Sequence, residues 1–376
     1  MSTTKPVVIY GVSGYTGRLV AEYLREYNLP FIAAGRNAER MQDALDHIPG
    51  METADFEVRE VEHTVDALTE LFRGAKVVCN TVGPFAVYGD VVVQACINAG
   101  CHYTDTNGEQ DWMIHCDEEY GDTFAENDRL LTPGIAQMYT TGEIAANIAL
   151  ETPGLDTLDI AVFWKGSPTV ASTETILVNA AQAKAYFLEG NQYVEWPADG
   201  GIYDLSVPGV HQTMLALPWG GTSHPVWFKR DPRVANVKVL GGLFDRALMQ
   251  GVPAIVAAAL EQAKDMPHDE KLKFLVQTAR GVQSEMPPRE NQRVNISLES
   301  VYASGPLGNV HVILRGASNY KQTGLLQAYA AHHLTIGEPA LVGMGSACQA
   351  FGHRTLLGVL KHFGLVSAPQ VTGHVD

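Results

Sequence analysis

Three glycines spaced three residues apart, Gly11, Gly14 and Gly17, constrain the fold more than any other feature of the sequence. They follow a short apolar run at residues 7–10 and lead into residues 16–27, where apolar side chains recur at helical spacing. A strand that passes through a glycine-rich turn into an amphipathic helix begins a βαβ unit. The sequence therefore predicts that the chain opens with a parallel, doubly wound sheet.

The alternation of strands and helices continues through the first third of the chain. Apolar runs at residues 31–34, 56–61, 76–80 and 102–104 predict further strands, with helical segments between them. Because parallel neighbours need crossover helices, this rhythm predicts a Rossmann domain over residues 1–145.

Beyond residue 145 we expect strands without regular helices between them. The predicted strands cover residues 158–164, 193–196, 226–229, 293–303 and 310–315, and the last two flank a hairpin loop at residues 304–309. Residues 146–320 are therefore predicted to form a second α+β domain, on a mixed or antiparallel sheet, for substrate binding and dimerisation. Helical patterns at residues 323–333 and 348–363 predict that residues 321–376 pack back on the Rossmann domain, with a frayed tail from residue 367.

Composition excludes several classes of protein. A chain of 376 residues with a net charge of −16 has no basic footprint for nucleic acid. No apolar stretch approaches the roughly 20 residues that span a bilayer, and no signal peptide is evident at the N-terminus. The five cysteines are odd in number and form no Cys-x-x-Cys, which predicts reduced thiols and a cytoplasmic protein. Cys101-His102 and His115-Cys116 match no zinc spacing, so we expect no metal site.

The glycine-rich turn predicts a site for a dinucleotide pyrophosphate. Gly11 suits the tight turn, Gly14 the close approach of the phosphates, and Gly17 the packing of helix against strand. The helix N-terminus adds N–H donors and a partial positive charge. The alternative is a glycine-rich turn that binds nothing. Three hydroxyl side chains can add donors to the phosphates: Ser13, Tyr15 and Thr16.

The end of the second predicted strand indicates which dinucleotide binds. An NAD site usually carries an acidic residue there to hold the ribose hydroxyls, whereas this chain has Arg36 and Asn37. A guanidinium can pair with a 2′-phosphate and stack on adenine, and Asn37 can add a donor. These residues predict NADP(H); the alternative is an exposed arginine that caps the sheet.

Residues 11–20 (GVSGYTGRLV) resemble the opening of the saccharopine-dehydrogenase-like oxidoreductases, a family that includes trans-acting enoyl reductases. The resemblance implies a Rossmann domain that carries NADP(H), a substrate domain inserted before C-terminal helices, and chemistry at a C=N or C=C bond. Cys101, where a small hydroxyl residue is common in the family, and residues 106–107 depart from the pattern. Further matching segments are residues 34–37 (AGRN), 78–85 (VCNTVGPF), 88–89, 99–105 (AGCHYTD) and 108–109, with weaker matches at 133–134 and 141–143.

The segment after the fourth predicted strand is expected to hold the nicotinamide end of the cofactor. Ligands of doubly wound sheets bind outside the carboxyl ends of the strands. A plain connection between strand and helix is the alternative. Backbone groups of Thr81, Val82 and Gly83 can face the nicotinamide ribose. The side chains of Pro84, Phe85 and Tyr88 can form a wall beside the nicotinamide ring.

Three polar residues are candidates for the catalytic proton partner. Tyr103 and Asp105 leave the next strand end, where a tyrosine can donate a proton and a carboxylate can tune it. Asp105 can equally be a helix cap or turn residue. Lys165 ends the first strand of the second domain and can bind a carboxylate or donate a proton, or it is a solvated strand end.

The sequence thus predicts a homo-oligomeric, most simply homodimeric, NADP(H)-dependent oxidoreductase. We expect hydride transfer to or from a conjugated C=C or C=N bond of a small organic substrate in a cleft between two domains. The residues themselves leave open whether the bond is C=C, C=N or C=O. The alternative is a non-catalytic protein that keeps the fold for nucleotide binding or scaffolding.

Overall fold

A computed structural model describes residues 5–182, 184–197, 201–218 and 222–375. Within these ranges the chain forms two compact units, each made of several separate segments of the sequence. The first unit comprises the residues up to 107 together with 112–140 and 320–365, and the second comprises 108–111, 141–319 and the residues from 366 onward.

The first unit is built on a parallel sheet of seven strands. Its order is β3-β2-β1-β4-β5-β6-β15, and every neighbouring pair is parallel. The direction of winding reverses between β1 and β4, as in dinucleotide-binding folds, so the predicted Rossmann sheet is confirmed. The strands are β1 (Val7–Tyr10), β2 (Phe31–Gly35), β3 (Phe56–Glu60), β4 (Val77–Asn80), β5 (His102–Asp105), β6 (Leu130–Thr132) and β15 (Gly343–Met344).

Side-chain caps and glycines fix where the helices begin and end. Asn37 and Thr64 each accept a hydrogen bond from the backbone three residues further on, which caps α2 and α3. The segment predicted as one helix over residues 348–363 is broken at Gly352, where φ is +83°. The helices between and after these strands are α1 (Tyr15–Glu26), α2 (Ala38–Asp46), α3 (Val65–Phe72), α4 (Phe85–Ala99), α5 (Gln110–Glu126), α6 (Gln137–Ala149), α11 (Asn319–Ile336), α12 (Ala347–Phe351) and α13 (His353–His362).

The second unit carries a mixed sheet of seven strands, as predicted. Its order is β16-β14-β13-β7-β12-β8-β9, and within the described residues of this sheet the β7–β12 pair is parallel and the other neighbouring pairs are antiparallel. A separate pair, β10 with β11, is antiparallel. The strands are β7 (Thr157–Lys165), β8 (Tyr186–Glu189), β9 (Gln192–Glu195), β10 (Tyr203–Leu205), β11 (Met214–Ala216), β12 (Asn236–Leu243), β13 (Ile296–Gly305), β14 (Gly308–Ala317) and β16 (Gln370–Val375).

Three sequence predictions for this part of the chain are wrong. The run predicted as a strand at residues 226–229 lies largely in the helix α8 (His224–Phe228), with Pro225 in its first turn. Regular helices do separate the strands, and the tail predicted to fray forms β16, paired with β14. The remaining helices are α7 (Val170–Gln182), α9 (Arg246–Ala263) and α10 (His268–Val282), which share a buried apolar cluster.

Candidate functional site

The glycine-rich turn between β1 and α1 requires glycine at two positions. Gly11 has φ +98°, and a Cβ atom there would lie 2.7 Å from Val82 Cγ2 and 2.8 Å from Thr81 Oγ1. A Cβ atom on Gly17 would lie 2.4 Å from the carbonyl oxygen of Gly11 and 2.7 Å from Val12 Cα. Both glycines therefore let α1 and the end of β4 approach the turn closely.

Thr81 anchors the turn to the end of β4. Its hydroxyl donates to the carbonyl oxygens of Tyr10 (3.0 Å) and Gly11 (3.1 Å), and its N–H donates to Tyr10 (2.9 Å). Gly14 N–H donates to the Gly11 carbonyl at 3.0 Å, and α1 begins at the next residue. The first-turn N–H groups of a helix have no intrahelical acceptor and lie at its positive end, so the turn presents an anion-binding surface.

The side chains predicted to add hydroxyl donors differ in their surroundings. Ser13 and Thr16 are partly exposed. Tyr15 is buried, and its ring packs edge-on against Tyr320 with 5.0 Å between centroids. The Arg18 guanidinium also lies over the Tyr15 ring, 5.9 Å from its centroid. Ser13 and Thr16 are thus the accessible hydroxyls of the turn.

Arg36 follows β2 with an exposed side chain. Within the residues that the structure describes, its guanidinium has no hydrogen-bond or ion-pair partner. Asn37 caps α2, with Oδ1 accepting from Arg40 N at 2.7 Å, which leaves its amide NH₂ as the available donor. The Glu60 carboxylate accepts from Ala38 N at 2.9 Å, so this acid is held at the helix N-terminus. The end of β2 therefore offers a cation without a carboxylate bound to it.

An aromatic group that the sequence reasoning missed lies beside Arg36. Tyr10 ends β1, and its hydroxyl lies 2.8 Å from Nδ1 of His63, which follows β3. The two rings are parallel within 7°, and Tyr88 meets the imidazole edge-on at 5.5 Å between centroids. Burial, and then the nearby Arg36 charge, lower the pKa of His63. The only signal in the sequence was the position of His63 just after a predicted strand.

The strand ends β4 and β5 carry a buried polar chain. Asn80 Nδ2 donates to the Tyr103 hydroxyl at 3.0 Å, and that hydroxyl donates to Asp105 Oδ2 at 2.9 Å. Asn80 Oδ1 accepts from Val82 N at 3.0 Å, which fixes the first turn of the segment after β4. Burial and the neighbouring carboxylate hold the pKa of Tyr103 well above its ordinary value. The phenol is therefore a fixed hydrogen-bond donor in this environment.

Asp105 accepts hydrogen bonds from five donors and has no solvent-exposed surface. Oδ1 accepts from Asn107 N (3.0 Å), Asn107 Nδ2 (2.6 Å) and Gly134 N (2.7 Å). Oδ2 accepts from Trp112 Nε1 at 3.2 Å in addition to the phenol of Tyr103. Burial raises the pKa of Asp105, and these donors oppose that shift. The carboxyl group thus ties the loop after β5 to the loop after β6.

A glutamine from α11 completes this buried network. Gln327 Nε2 donates to the carbonyl oxygens of Asp105 (2.6 Å) and Ile135 (3.0 Å), and Gln327 Oε1 accepts from Thr104 at 2.7 Å. Gln327 was not singled out from the sequence, because its partners are distant in the chain, and Asn80 was noted only as the end of the fourth predicted strand, without a role for its side chain. A polar residue within a run of buried apolar positions is the signal that would have indicated them.

The structure describes the remaining predicted residues as follows. The Gly83–Pro84 peptide is cis and leads into α4, where Phe85 is buried and Tyr88 is exposed. Lys165 ends β7 in the second unit, with an exposed side chain. The catalytic roles predicted for Tyr103, Asp105 and Lys165 therefore stay predictions, and the first two are enclosed by protein hydrogen bonds.

The cysteine and histidine residues weighed as metal ligands have other partners. The Cys101 thiol donates to two backbone carbonyls, His102 Nδ1 accepts from Leu130 N at 2.8 Å, and His115 contacts Asp90 at 2.8 Å. Across the described ranges no group of three or more His, Cys, Asp or Glu residues is arranged to hold a metal ion. In the same ranges no helix has both the length and the apolar character needed to cross a membrane.

The strand order and the glycine-rich turn define a dinucleotide-binding protein of the Rossmann class. Residues 7–125 match the family model described as "Saccharopine dehydrogenase NADP binding domain", which confirms the predicted resemblance and the cofactor NADP(H). Residues 140–375 match a second model, described as "Family of unknown function (DUF5938)". This match covers more than half of the chain, and the chain belongs to that family.

Curated relatives match over about a third of the chain or less. The "Lipid droplet localized protein" of Caenorhabditis elegans is 34% identical over 122 residues, covering 30% of this chain and 29% of that protein. The "Probable mitochondrial saccharopine dehydrogenase-like oxidoreductase" of Arabidopsis thaliana is 32% identical over 136 residues, covering 33% and 30%. The "Trans-acting enoyl reductase" of Mycobacterium ulcerans is 34% identical over 106 residues, covering 27% and 25%. The chain thus spans less than a third of the length of these relatives. The names of the first two place those relatives at lipid droplets and in mitochondria, so the cytoplasmic prediction is contradicted and is wrong.

One solved structure is similar over nearly the whole chain. It is the apo saccharopine dehydrogenase (L-Glu forming) of Saccharomyces cerevisiae, which superposes with a TM-score of 0.62 and 10% identity. The superposition covers 98% of this chain and 100% of the other. At this identity the likeness shows the fold alone, and it confirms a Rossmann sheet combined with a second, mixed sheet.

Proposed function

We propose that this protein is an NADP(H)-dependent oxidoreductase that acts on a conjugated C=C or C=N bond of a small organic substrate. When bound, the cofactor supplies or accepts the hydride, so the protein's part is to bind, orient and exclude water. The proposal rests above all on Arg36, an exposed guanidinium without a protein partner in the described ranges, at the end of β2. The oxidoreductase class follows the resemblance of the first unit, and the bond type follows the enoyl reductase relative.

We assign the cofactor to residues of the first unit alone. The pyrophosphate is proposed to lie on the turn at Gly14 and the N-terminus of α1, with hydroxyl donors from Ser13 and Thr16. The 2′-phosphate is proposed to pair with Arg36 and the free amide of Asn37. The nicotinamide end is proposed to lie along the segment after β4, whose shape is fixed by Asn80 and Thr81. This segment contains Thr81, Val82, Gly83, Pro84 and Phe85, whereas Tyr88, one turn into α4, packs edge-on against His63 with 5.5 Å between ring centroids.

A second candidate is a protein that binds NADP(H) without catalysing a reaction. The observation that favours it is the complete burial of Tyr103 and Asp105, whose polar atoms bond to one another and to the surrounding protein. Groups so enclosed stabilise the fold without reaching a substrate. Oxidation of NADPH in the presence of enones or cyclic imines separates the two candidates, since the binding protein would show affinity and no turnover.

Substitution of Arg36 tests the cofactor assignment directly. A hydrogen bond to a charged group contributes about 1.5–3 kcal/mol, so Arg36→Ala should weaken NADPH binding about ten- to a hundredfold. NADH lacks the 2′-phosphate, so its affinity should change little. Arg36→Asp should reduce the preference for NADPH further, because a carboxylate repels the phosphate. The measurement is a pair of dissociation constants, from fluorescence titration, for each variant.

The matched control is Arg73→Ala. Arg73 follows the C-terminal end of α3, is largely exposed, and forms an ion pair with Glu70 of its own helix. This substitution removes the same charge from the same unit and leaves the ends of β1, β2 and β4 unchanged. If the wild type prefers NADH, or if Arg36→Ala weakens both cofactors equally, Arg36 does not read the phosphate and the assignment fails.

A further inference from the structure

The pair formed by Tyr10 and His63 is not used by the proposed function. Tyr10 is 2% exposed, and its hydroxyl hydrogen-bonds to His63 Nδ1 at 2.8 Å. The other ring nitrogen, Nε2, is buried and has no hydrogen-bond partner within the described residues. A buried polar atom left without a partner is costly, so a donor at this position would be stabilised by an acceptor from outside the protein.

The hydrogen bond to Tyr10 determines which nitrogen of His63 carries the proton. Burial raises the pKa of Tyr10, so its hydroxyl stays protonated, and among the described residues only His63 is available to accept that proton. The imidazole is neutral, since burial and the Arg36 charge lower its pKa. Nδ1 is therefore the acceptor, and Nε2 carries an N–H group that has nothing to donate to.

The position of His63 relates this donor to the cofactor. Tyr10 pairs with Ala34 across β1 and β2, and Val61 N donates to the Gly35 carbonyl at 2.9 Å, so three neighbouring strands end together. Arg36 leaves the middle one of these strands, and His63 leaves the outer one. In doubly wound sheets the adenosine half of a dinucleotide crosses these carboxyl ends.

We propose that His63 is a second residue that determines the specificity for NADP(H), with Nε2–H donating to an oxygen of the 2′-phosphate that Arg36 pairs with. The inference rests on the proposed cofactor site and adds to it. Tyr10 acts as a positioning residue, because its hydroxyl holds the imidazole tautomer that can donate. Tyr88 packs edge-on against the same ring and limits its rotation.

The test is His63→Phe, which keeps an aromatic ring between Tyr10 and Tyr88 and removes both nitrogens. Isothermal titration measures the affinities for NADPH and NADH, and for adenosine 2′,5′-bisphosphate and adenosine 5′-monophosphate. We expect NADPH and the bisphosphate to bind about tenfold or more weakly. NADH and the monophosphate should change less than about twofold, because they lack the phosphate that His63 contacts.

Two further variants make the result interpretable. His47→Phe is the matched control, since His47 follows α2 with a side chain that is 71% exposed, and it should leave all four affinities unchanged. His63→Phe leaves the Tyr10 hydroxyl without its hydrogen-bond partner, which could lower Tm. The double variant Tyr10→Phe/His63→Phe removes that hydroxyl as well, and it should show the same selective loss of affinity for NADPH and the bisphosphate. Circular dichroism and thermal melting establish that each variant is folded.

The outcomes separate this inference from the proposed function. Equal weakening of all four ligands, or no weakening of any, overturns the role of His63 while the effect of Arg36→Ala on NADPH still stands. A wild-type protein that binds NADPH no better than NADH overturns the cofactor site itself. Selective loss of the two ligands with a 2′-phosphate supports the inference.

Discussion

Replacement of Asp105 by asparagine tests whether this buried carboxylate holds the first unit together. Five donors point at its two oxygens, three at Oδ1 and two at Oδ2. An asparagine keeps one oxygen, so the least damaging rotamer places its NH₂ group at the Oδ2 position. At that position the Tyr103 hydroxyl loses its acceptor, although it can turn its proton away from the new NH₂ group. The Trp112 indole N–H can only donate, so it would face the NH₂ group, which is another donor.

The size of the effect follows from these contacts. One buried donor left unsatisfied costs about 1–3 kcal/mol, and a hydrogen bond to a charged acceptor contributes about 1.5–3 kcal/mol. Removal of a buried charge offsets part of the loss, because burial already raises the pKa of Asp105. We expect the free energy of unfolding to fall by about 2–4 kcal/mol, which lowers Tm by about 5–15 °C for a unit of this size.

Thermal melting by circular dichroism, with and without NADPH, measures this change. Asp43→Asn is the matched control, because the Asp43 side chain is 73% exposed on α2 and should leave Tm unchanged. If Asp105→Asn melts like the wild type and yet loses turnover with a reactive substrate, the structural reasoning is refuted. The carboxyl group would then act in the chemistry, as the sequence predicted for Asp105.

Two other predictions concern the turn and a buried histidine. Gly17→Ala places a methyl carbon 2.4 Å from a backbone oxygen, and this overpacking should lower the free energy of unfolding by about 1–3 kcal/mol and Tm with it. Gly14→Ala, with 3.3 Å to its nearest neighbour, should melt nearly as the wild type and bind NADPH more weakly. Equal melting of the two variants would contradict this. Burial, with the charges of Arg129 and Lys76, lowers the pKa of His102 from 6.5 to about 4. Protons then bind the unfolded chain first as the pH falls from 6.5 to 4, so stability should fall by about 1.4 kcal/mol per pH unit, and denaturant unfolding of His102→Gln should lack this component.

Local patterns predicted most of the first unit. The bounds of β1 were predicted to the residue and those of β2 to within one residue. Both strands are short apolar runs that end at a glycine, and this signal lies within a few neighbouring positions of the sequence. α8 was mistaken for a strand, since a short apolar run such as residues 226–229 fits a buried helix equally well. Pro225 was the signal that favoured a helix start.

The site residues that could be predicted are those whose role follows from their position at the end of a single strand. Arg36 and the glycine-rich turn follow from what comes directly after a strand. Asp105 was placed correctly at a strand end, whereas Tyr103 lies within the same strand. The sequence alone does not reveal the burial of Asp105, which depends on Trp112 and Gly134 folding over it. His63 was missed because its partner Tyr10 lies 53 residues away in the chain.

The reach of Gln327 has a consequence for how the protein is made. Its amide bonds to the carbonyl of Asp105 across a separation of 222 residues, so the loop after β5 lacks this partner until most of the chain has been translated. At about 5–20 residues per second, the ribosome needs roughly 10–40 s to travel from the end of α6 to α11. During that interval the nascent Rossmann sheet exposes the edge of β6 that β15 later covers. Chaperone dependence should therefore be greatest in the middle of synthesis, and fragments that stop after α6 should aggregate more readily than the full chain does.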